Sequence, residues 1–187
     1  EPVFALRNVV VLEPLFRERN YTVLEALFWP KPFELPGRNH AVAGFSDVLA
    51  LSGYGRPDDL AAMVSAWDAL LDRIRPDLVV VDNAPTLALA IYDRIPAIFT
   101  GYGFTLPPAH ETRFPKLRHD TPLLMAESRL LRNVEAVQRR RRATIPATLT
   151  EVFRGRFRAL TCVRELDPYA DRQDEEFVPL EARARHQ

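Results

Sequence analysis

Residues 75–104 read RPDLVVVDNAPTLALAIYDRIPAIFTGYGF, and this stretch decides the fold. Residues 78–81, LVVV, are a short apolar, β-branched run, the pattern of a strand buried on both faces. Asp82 and Asn83 end it. Pro85 suits the first turn of a helix, which Leu87, Leu89, Ala90 and Ile91 carry on. Ile95-Pro96 breaks that helix, residues 97–100 read as a second strand, and Gly101-Tyr102-Gly103-Phe104 is a loop at its carboxyl end. Strand, crossover helix and parallel strand make a βαβ unit. Open α/β sheets bind ligands outside the carboxyl ends of their strands, and Asp82 and the 101–104 loop both fall there.

The pattern continues on either side. Val3–Leu6 reads as a strand, 11–19 as a helix with Leu12, Leu15 and Phe16 on one face, Asn20 as its stop, and 21–24 as the next strand. Residues 28–40, rich in Pro and aromatics, read as a long loop in which Phe28, Trp29 and Phe33 either grip an apolar molecule or pack on protein. A helix is expected over 41–51. The clearest helix is 57–75, with Leu60, Met63, Val64, Trp67, Leu71 and Ile74 on one stripe and Asp58 and Asp59 in its first turn. Beyond Phe104, a helix is expected over 121–139 with Leu124, Leu131, Val134 and Val137 inward. The arginines of 139–142 read as a solvated helix end. A short helix over 149–153 and a last strand over 159–163 complete the pattern. The order predicts an α/β fold with a doubly wound, mainly parallel sheet over residues 1–163. Residues 164–187 read as a polar tail or the start of an interdomain linker.

Composition narrows the function. The 187 residues are 47% hydrophobic and 27% charged, a folded rather than a disordered balance. Zero net charge gives no bulk attraction to nucleic acid or an anionic membrane, and neither partner is expected. The single Cys162 excludes a disulfide framework and fits a reducing, cytoplasmic setting. No apolar run approaches the roughly 20 residues of a membrane span. Among 25 basic residues only Lys31 and Lys116 are lysine, a bias of GC-rich bacterial coding. His40, His110, His119 and His186 lack metal-ligand spacing, so no metal is expected. Gly101-x-Gly103 is not a dinucleotide fingerprint, because Leu106 stands where the third glycine would be and no helix follows.

Several segments in order resemble one family. They are PVFALRN (2–8) with VLEALFWP (23–30), RPDLVVVDNAPTLALAIYDRIPAIF (75–99), TGYGFTLPP (100–108) and ELDPY (165–169). Together they look like the N-terminal, acceptor-binding domain of a GT-B fold glycosyltransferase. The group is the UDP-glycosyltransferase-like one that includes the antibiotic and macrolide glycosyltransferases. The resemblance implies a Rossmann-like half of a two-domain enzyme that inverts configuration. A UDP- or dTDP-sugar binds as co-substrate, chiefly to a C-terminal domain, and a small, apolar, hydroxylated acceptor binds to this half, with no other cofactor. In the family a His after the first strand takes the acceptor proton and an Asp at the end of a later strand orients it. Asp82 matches the Asp. The matching His, its first β-α unit and the C-terminal domain have no counterpart in this sequence, so this stretch alone is expected to be inactive.

Each candidate has a plainer role beside it. Asp82 either orients a base or caps the following helix. Gly101, Tyr102, Gly103 and Phe104 line an acceptor pocket or make a tight turn. His110 follows that loop and could face the same pocket. For the whole chain, the alternatives are a non-catalytic α/β binding module and a GT-B-fold nucleotide-sugar epimerase.

Overall fold

The computed structural model describes residues 1–17, 19–27, 41–169, 172 and 176–177. Trp29, with the rest of 28–40, lies outside the described residues. The chain divides into two compact units, Glu1–Phe33 and Glu34–Gln187. It is an α/β protein whose strands pair in parallel in two sheets.

The first unit is one β-α-β turn: β1 (Val3–Leu6), α1 (Val9–Arg17) and β2 (Thr22–Glu25). The two strands pair in register from Val3 opposite Thr22 to Leu6 opposite Glu25. Phe4 packs on Phe16 and Tyr21, with ring centroids 4.5 and 5.2 Å apart. Asn20 turns the chain with φ 52°, a left-handed conformation that asparagine tolerates better than most residues. Leu15 does not join the inward stripe. It is exposed, because it lies a third of a turn away from Phe16.

The second unit carries a four-stranded parallel sheet in the order β3 (Val79–Asp82), β4 (Ala97–Gly101), β5 (Phe157–Leu160), β6 (Glu176–Phe177). Its helices are α2 (Phe45–Leu49), α3 (Pro57–Ile74), α4 (Pro85–Ile91) and α5 (Glu127–Arg141). The register sets Val81, Phe99 and Arg158 side by side, and Asp82 beside Thr100. Side chains alternate across a sheet, so Val81, Ala97, Phe99, Arg158 and Leu160 share one face, and all are buried. Phe153 and Phe45 continue that core, Phe153 6.0 Å from Phe99 and 5.4 Å from Phe45. The opposite face carries Val80, 61% exposed, and Phe157. The expectation that residues 78–81 are buried on both faces is therefore corrected. Within this sheet β3 is an edge strand covered on one side.

Other departures have local causes. The helix expected over 41–51 begins only at Phe45 and widens into a π-turn, Ala50–Tyr54, where Gly53 takes φ 101°. Ahead of it Gly44 is extended (φ 177°), and Asp47 Oδ2 accepts the Ala43 amide (2.7 Å). The helix expected from 121 starts at Glu127, since the Leu124 amide donates to Asp47 Oδ1 (2.8 Å) instead of entering a helix. Its inward stripe is Leu130, Val134 and Val137, not Leu131. The last main strand lies at 157–160, not 159–163, and Arg158 disguised it. That arginine is buried, giving Nη1 to Phe153 O and Nη2 to Pro107 O (2.5 Å). Gly155 leads into it at φ 60°, where a methyl group would meet Phe99 at 2.6 Å and Ala97 O at 2.8 Å.

The four-arginine run is not simply solvated. Arg139 bonds Glu135, Arg140 bonds Asp58, and Arg141 reaches Asp68 (2.7 and 2.9 Å) and Ala90 O near the end of α4 (3.1 Å). A cation at the last carbonyls of a helix satisfies acceptors that the helix itself cannot.

Candidate functional site

The carboxyl end of the sheet is where the sequence and the structure meet. The turn after β3 is fixed from beneath. The Tyr54 hydroxyl, fully buried, donates to Pro85 O (2.7 Å), and Trp67 Nε1 donates to Thr86 Oγ1 (3.0 Å). Asn83 sits at φ 44°, and Ala84 is the N-cap of α4 with no side chain bonded to the helix. Asp82 is thus not a helix cap, and no hydrogen bond or ion pair engages it among the described residues. The residue is exposed to solvent, yet partial burial of its carboxyl pushes its pKa above the ordinary carboxylate range.

Gly101 adjoins it. A methyl group there would lie 3.6 Å from Asp82 Oδ1 and 2.6 Å from Thr105 Oγ1. From Tyr102 the chain folds into a 3₁₀ turn, Gly103–Thr105. The Tyr102 carbonyl accepts the amides of Thr105 (3.0 Å) and Leu106 (3.1 Å) and the Thr105 hydroxyl (3.1 Å). Tyr102 itself is 58% exposed, and Phe104 is half-buried. The structure therefore gathers Asp82, Gly101 and Thr105 at one point and presents Tyr102 to solvent beside them.

Gly103 faces the other way. A methyl group there would meet Pro168 Cδ at 2.4 Å and Asp167 Oδ1 at 2.7 Å. Asp167 and Arg172 form a buried ion pair (Nε to Oδ2, 2.6 Å) with side chains 4% and 2% exposed, and Arg172 Nη2 donates to Gly103 O (3.2 Å). Thr105, Asp167 and Arg172 do not stand out as site residues in the sequence. Asp167 lies in the ELDPY segment, while nothing in the sequence marks Arg172.

The Tyr169 hydroxyl is buried with no hydrogen-bond partner among the described residues. A buried hydroxyl without a partner carries its desolvation cost uncompensated. Tyr169→Phe is therefore expected to leave stability unchanged or raise it by about 1 kcal/mol, read from the urea midpoint. The ring keeps its place over the Arg172 guanidinium, 5.2 Å away.

His110 lies beyond the loop. Its Nε2 is 3.4 Å from Glu111 Oε1 and its side chain is 31% exposed. Arginines hold the backbone on its N-terminal side: Arg158 bonds Pro107 O, and Arg154 Nε donates to Ala109 O (3.0 Å). Among the described residues no cluster of three or more His, Cys, Asp or Glu is arranged to hold a metal ion, and no helix is long and apolar enough to cross a membrane.

No family model matches the chain, and no curated protein matches it. Among solved structures it is similar to UGT73P12 of Glycyrrhiza uralensis, a plant UDP-glycosyltransferase complexed with glycyrrhetinic acid 3-O-monoglucuronide. Identity is 15% and the TM-score 0.37, with 88% of this chain and 38% of that chain covered. The present chain thus spans well under half the length of that protein.

Proposed function

We propose that this chain is the acceptor-binding half of an inverting GT-B glycosyltransferase, moving a sugar from a UDP- or dTDP-sugar to a hydroxyl of a small apolar acceptor. The observation that carries the reading is Asp82. It is a carboxylate at the carboxyl end of a parallel strand, beside a glycine and a threonine hydroxyl, with no structural bond of its own among the described residues. Structural carboxylates in this fold are engaged, as Asp47 is with two amides. One left open at the carboxyl end of a parallel strand, where open α/β sheets bind ligands, supports a role in chemistry. The sequence resemblance supplies the reaction class.

In the proposed reaction the acceptor oxygen attacks the anomeric carbon as a histidine base takes its proton. The bond from that carbon to the nucleotide diphosphate breaks, and the diphosphate leaves with the electron pair. Asp82 accepts the N–H of the base and stabilises its imidazolium. Tyr102 and Gly101 form one wall of the acceptor site. The base and the donor site come from other parts of the enzyme, outside this stretch of chain. No metal takes part in this scheme, and the nucleotide sugar is the co-substrate.

Two measurements test this. Titration calorimetry of UDP and dTDP into this chain is expected to show no binding, because the donor site lies elsewhere. Sub-millimolar affinity would overturn the assignment as the acceptor half. The full-length protein, given UDP-glucose or dTDP-glucose and a panel of phenolic and steroidal alcohols, is expected to form glycosides. Absence of transfer to every acceptor with both donors would count against the reaction class.

A further inference from the structure

The loop that borders Asp82 is held from behind by Asp167, Pro168 and Arg172, and nothing in the proposed reaction requires that contact. Three observations converge on it. Gly103 is packed so closely on Asp167 and Pro168 that a methyl group would come within 2.7 Å of both. Arg172 joins Asp167 through two hydrogen bonds, from Nε (2.6 Å) and Nη2 (3.2 Å), and the same Nη2 also donates to the carbonyl of Gly103 (3.2 Å), 69 residues away in sequence. Asp167 Oδ1 also accepts the Tyr169 amide (3.2 Å), which fixes the carboxylate relative to its own backbone. The ion pair is almost wholly buried, so salt screens it much less than a surface pair.

We propose that Asp167 and Arg172 are positioning residues that latch the 101–105 loop in the place where it walls the acceptor site beside Asp82. The physical case rests on the shortness of the loop. Gly101 adjoins the Asp82 carboxylate and Gly103 adjoins the latch, so one exposed residue, Tyr102, separates the two contacts. Displacing Gly103 must move Tyr102 and Gly101. A bidentate guanidinium fixes direction as well as distance, which an ammonium cannot do. The latch itself rests on the hydrogen bonds and packing among Gly103, Asp167, Pro168 and Arg172. Its consequence for the acceptor rests on the function proposed above.

The test is amide hydrogen exchange on the full-length protein, resolved to the peptide covering 101–106. Arg172→Met is expected to raise exchange there tenfold or more, with exchange in α3 and β3 unchanged. Arg172→Lys keeps the charge and loses the fork, and is expected to fall between. Gly103→Ala approaches the contact from the loop side. It is expected to raise exchange in the same peptide and in 164–169, which keeps the proposal testable should Arg172→Met fail to fold. Wild-type exchange at 101–106 in these variants, or a uniform rise across the whole unit, would overturn the latch. Activity gives the second reading. For an alcohol found to accept sugar from UDP-glucose, Arg172→Lys is expected to raise the acceptor KM more than it lowers kcat, leaving the donor KM unchanged. Equal loss in both parameters would show a merely structural role. If exchange rises locally while no acceptor is turned over, the latch stands and the glycosyltransferase reading falls.

Discussion

Asp82→Asn is expected to lower kcat for sugar transfer in the full-length protein by about 10²–10⁴-fold, with no loss of fold. The amide preserves the shape of the carboxyl group but cannot stabilise a protonated base. The loss therefore belongs in kcat at saturating acceptor, where transition-state interactions are read. Stability is expected to move the other way. The folded-state pKa of Asp82 lies above its ordinary value because its carboxyl is partly desolvated. Between the ordinary and the raised value the native state holds more protons than the unfolded one, so stability falls as pH rises through that window. At neutral pH the ionised carboxylate thus costs stability, and asparagine removes that cost. The residue is exposed, so the gain is expected to be small. A variant with unchanged kcat, where chemistry is shown to limit turnover, would remove Asp82 from the mechanism. One with impaired kcat and lower stability would mark the carboxylate as structural.

That opposition between function and stability follows from the local architecture. The β3–α4 turn is held by Tyr54, Trp67 and Thr86 from the core side. Its first residues are relieved of structural duty, and Asn83 can rest in a left-handed conformation while Asp82 remains open. A carboxylate that the fold does not need is free to be tuned by its surroundings.

The strands of the β3–α4–β4 unit and the start of its helix were legible in the sequence to within one residue, because each signal is local. LVVV marks the strand and Pro85 opens the helix, which closes at Ile91, ahead of the break expected at Ile95-Pro96. The stripe of α3 was legible for the same reason: five of its six expected residues are buried. What escaped depends on partners distant in sequence. Arg158 hides β5 because a buried arginine is tolerable only where carbonyls of Phe153 and Pro107 await it. The exposed face of β3 could not be read from LVVV, since an apolar run reports the capacity for burial and not the presence of a cover. At the site, Asp82 and the glycines announced themselves by position. The clamp on Gly103 did not, because Arg172 looks like any arginine of a polar tail.

Asp47 is the plainest case of a residue whose importance only the structure shows, and its removal is expected to have the largest effect on stability. It lies in α2 with no exposed surface. Its two oxygens accept one amide each, from Ala43 on its own segment and from Leu124, 77 residues away. Beside it Glu127 accepts the Ser46 hydroxyl and the Phe114 amide (3.3 Å), so two carboxylates tie the start of α2 and the 106–126 connection to the start of α5. Asp47→Ala strands two backbone N–H groups that have lost their acceptors, at about 1–3 kcal/mol each, and opens a small void. The expected loss is therefore roughly 2–6 kcal/mol in urea unfolding, a large fraction of the stability of an ordinary domain. Asp47→Asn keeps one oxygen for one amide and turns an NH₂ toward the other. It is expected to cost less than alanine, and the difference isolates the hydrogen bonds from the void. Equal costs for the two variants would mean that packing, not amide capture, is what Asp47 provides. A loss below about 1 kcal/mol for alanine would mean that water reaches both amides once the carboxylate is gone.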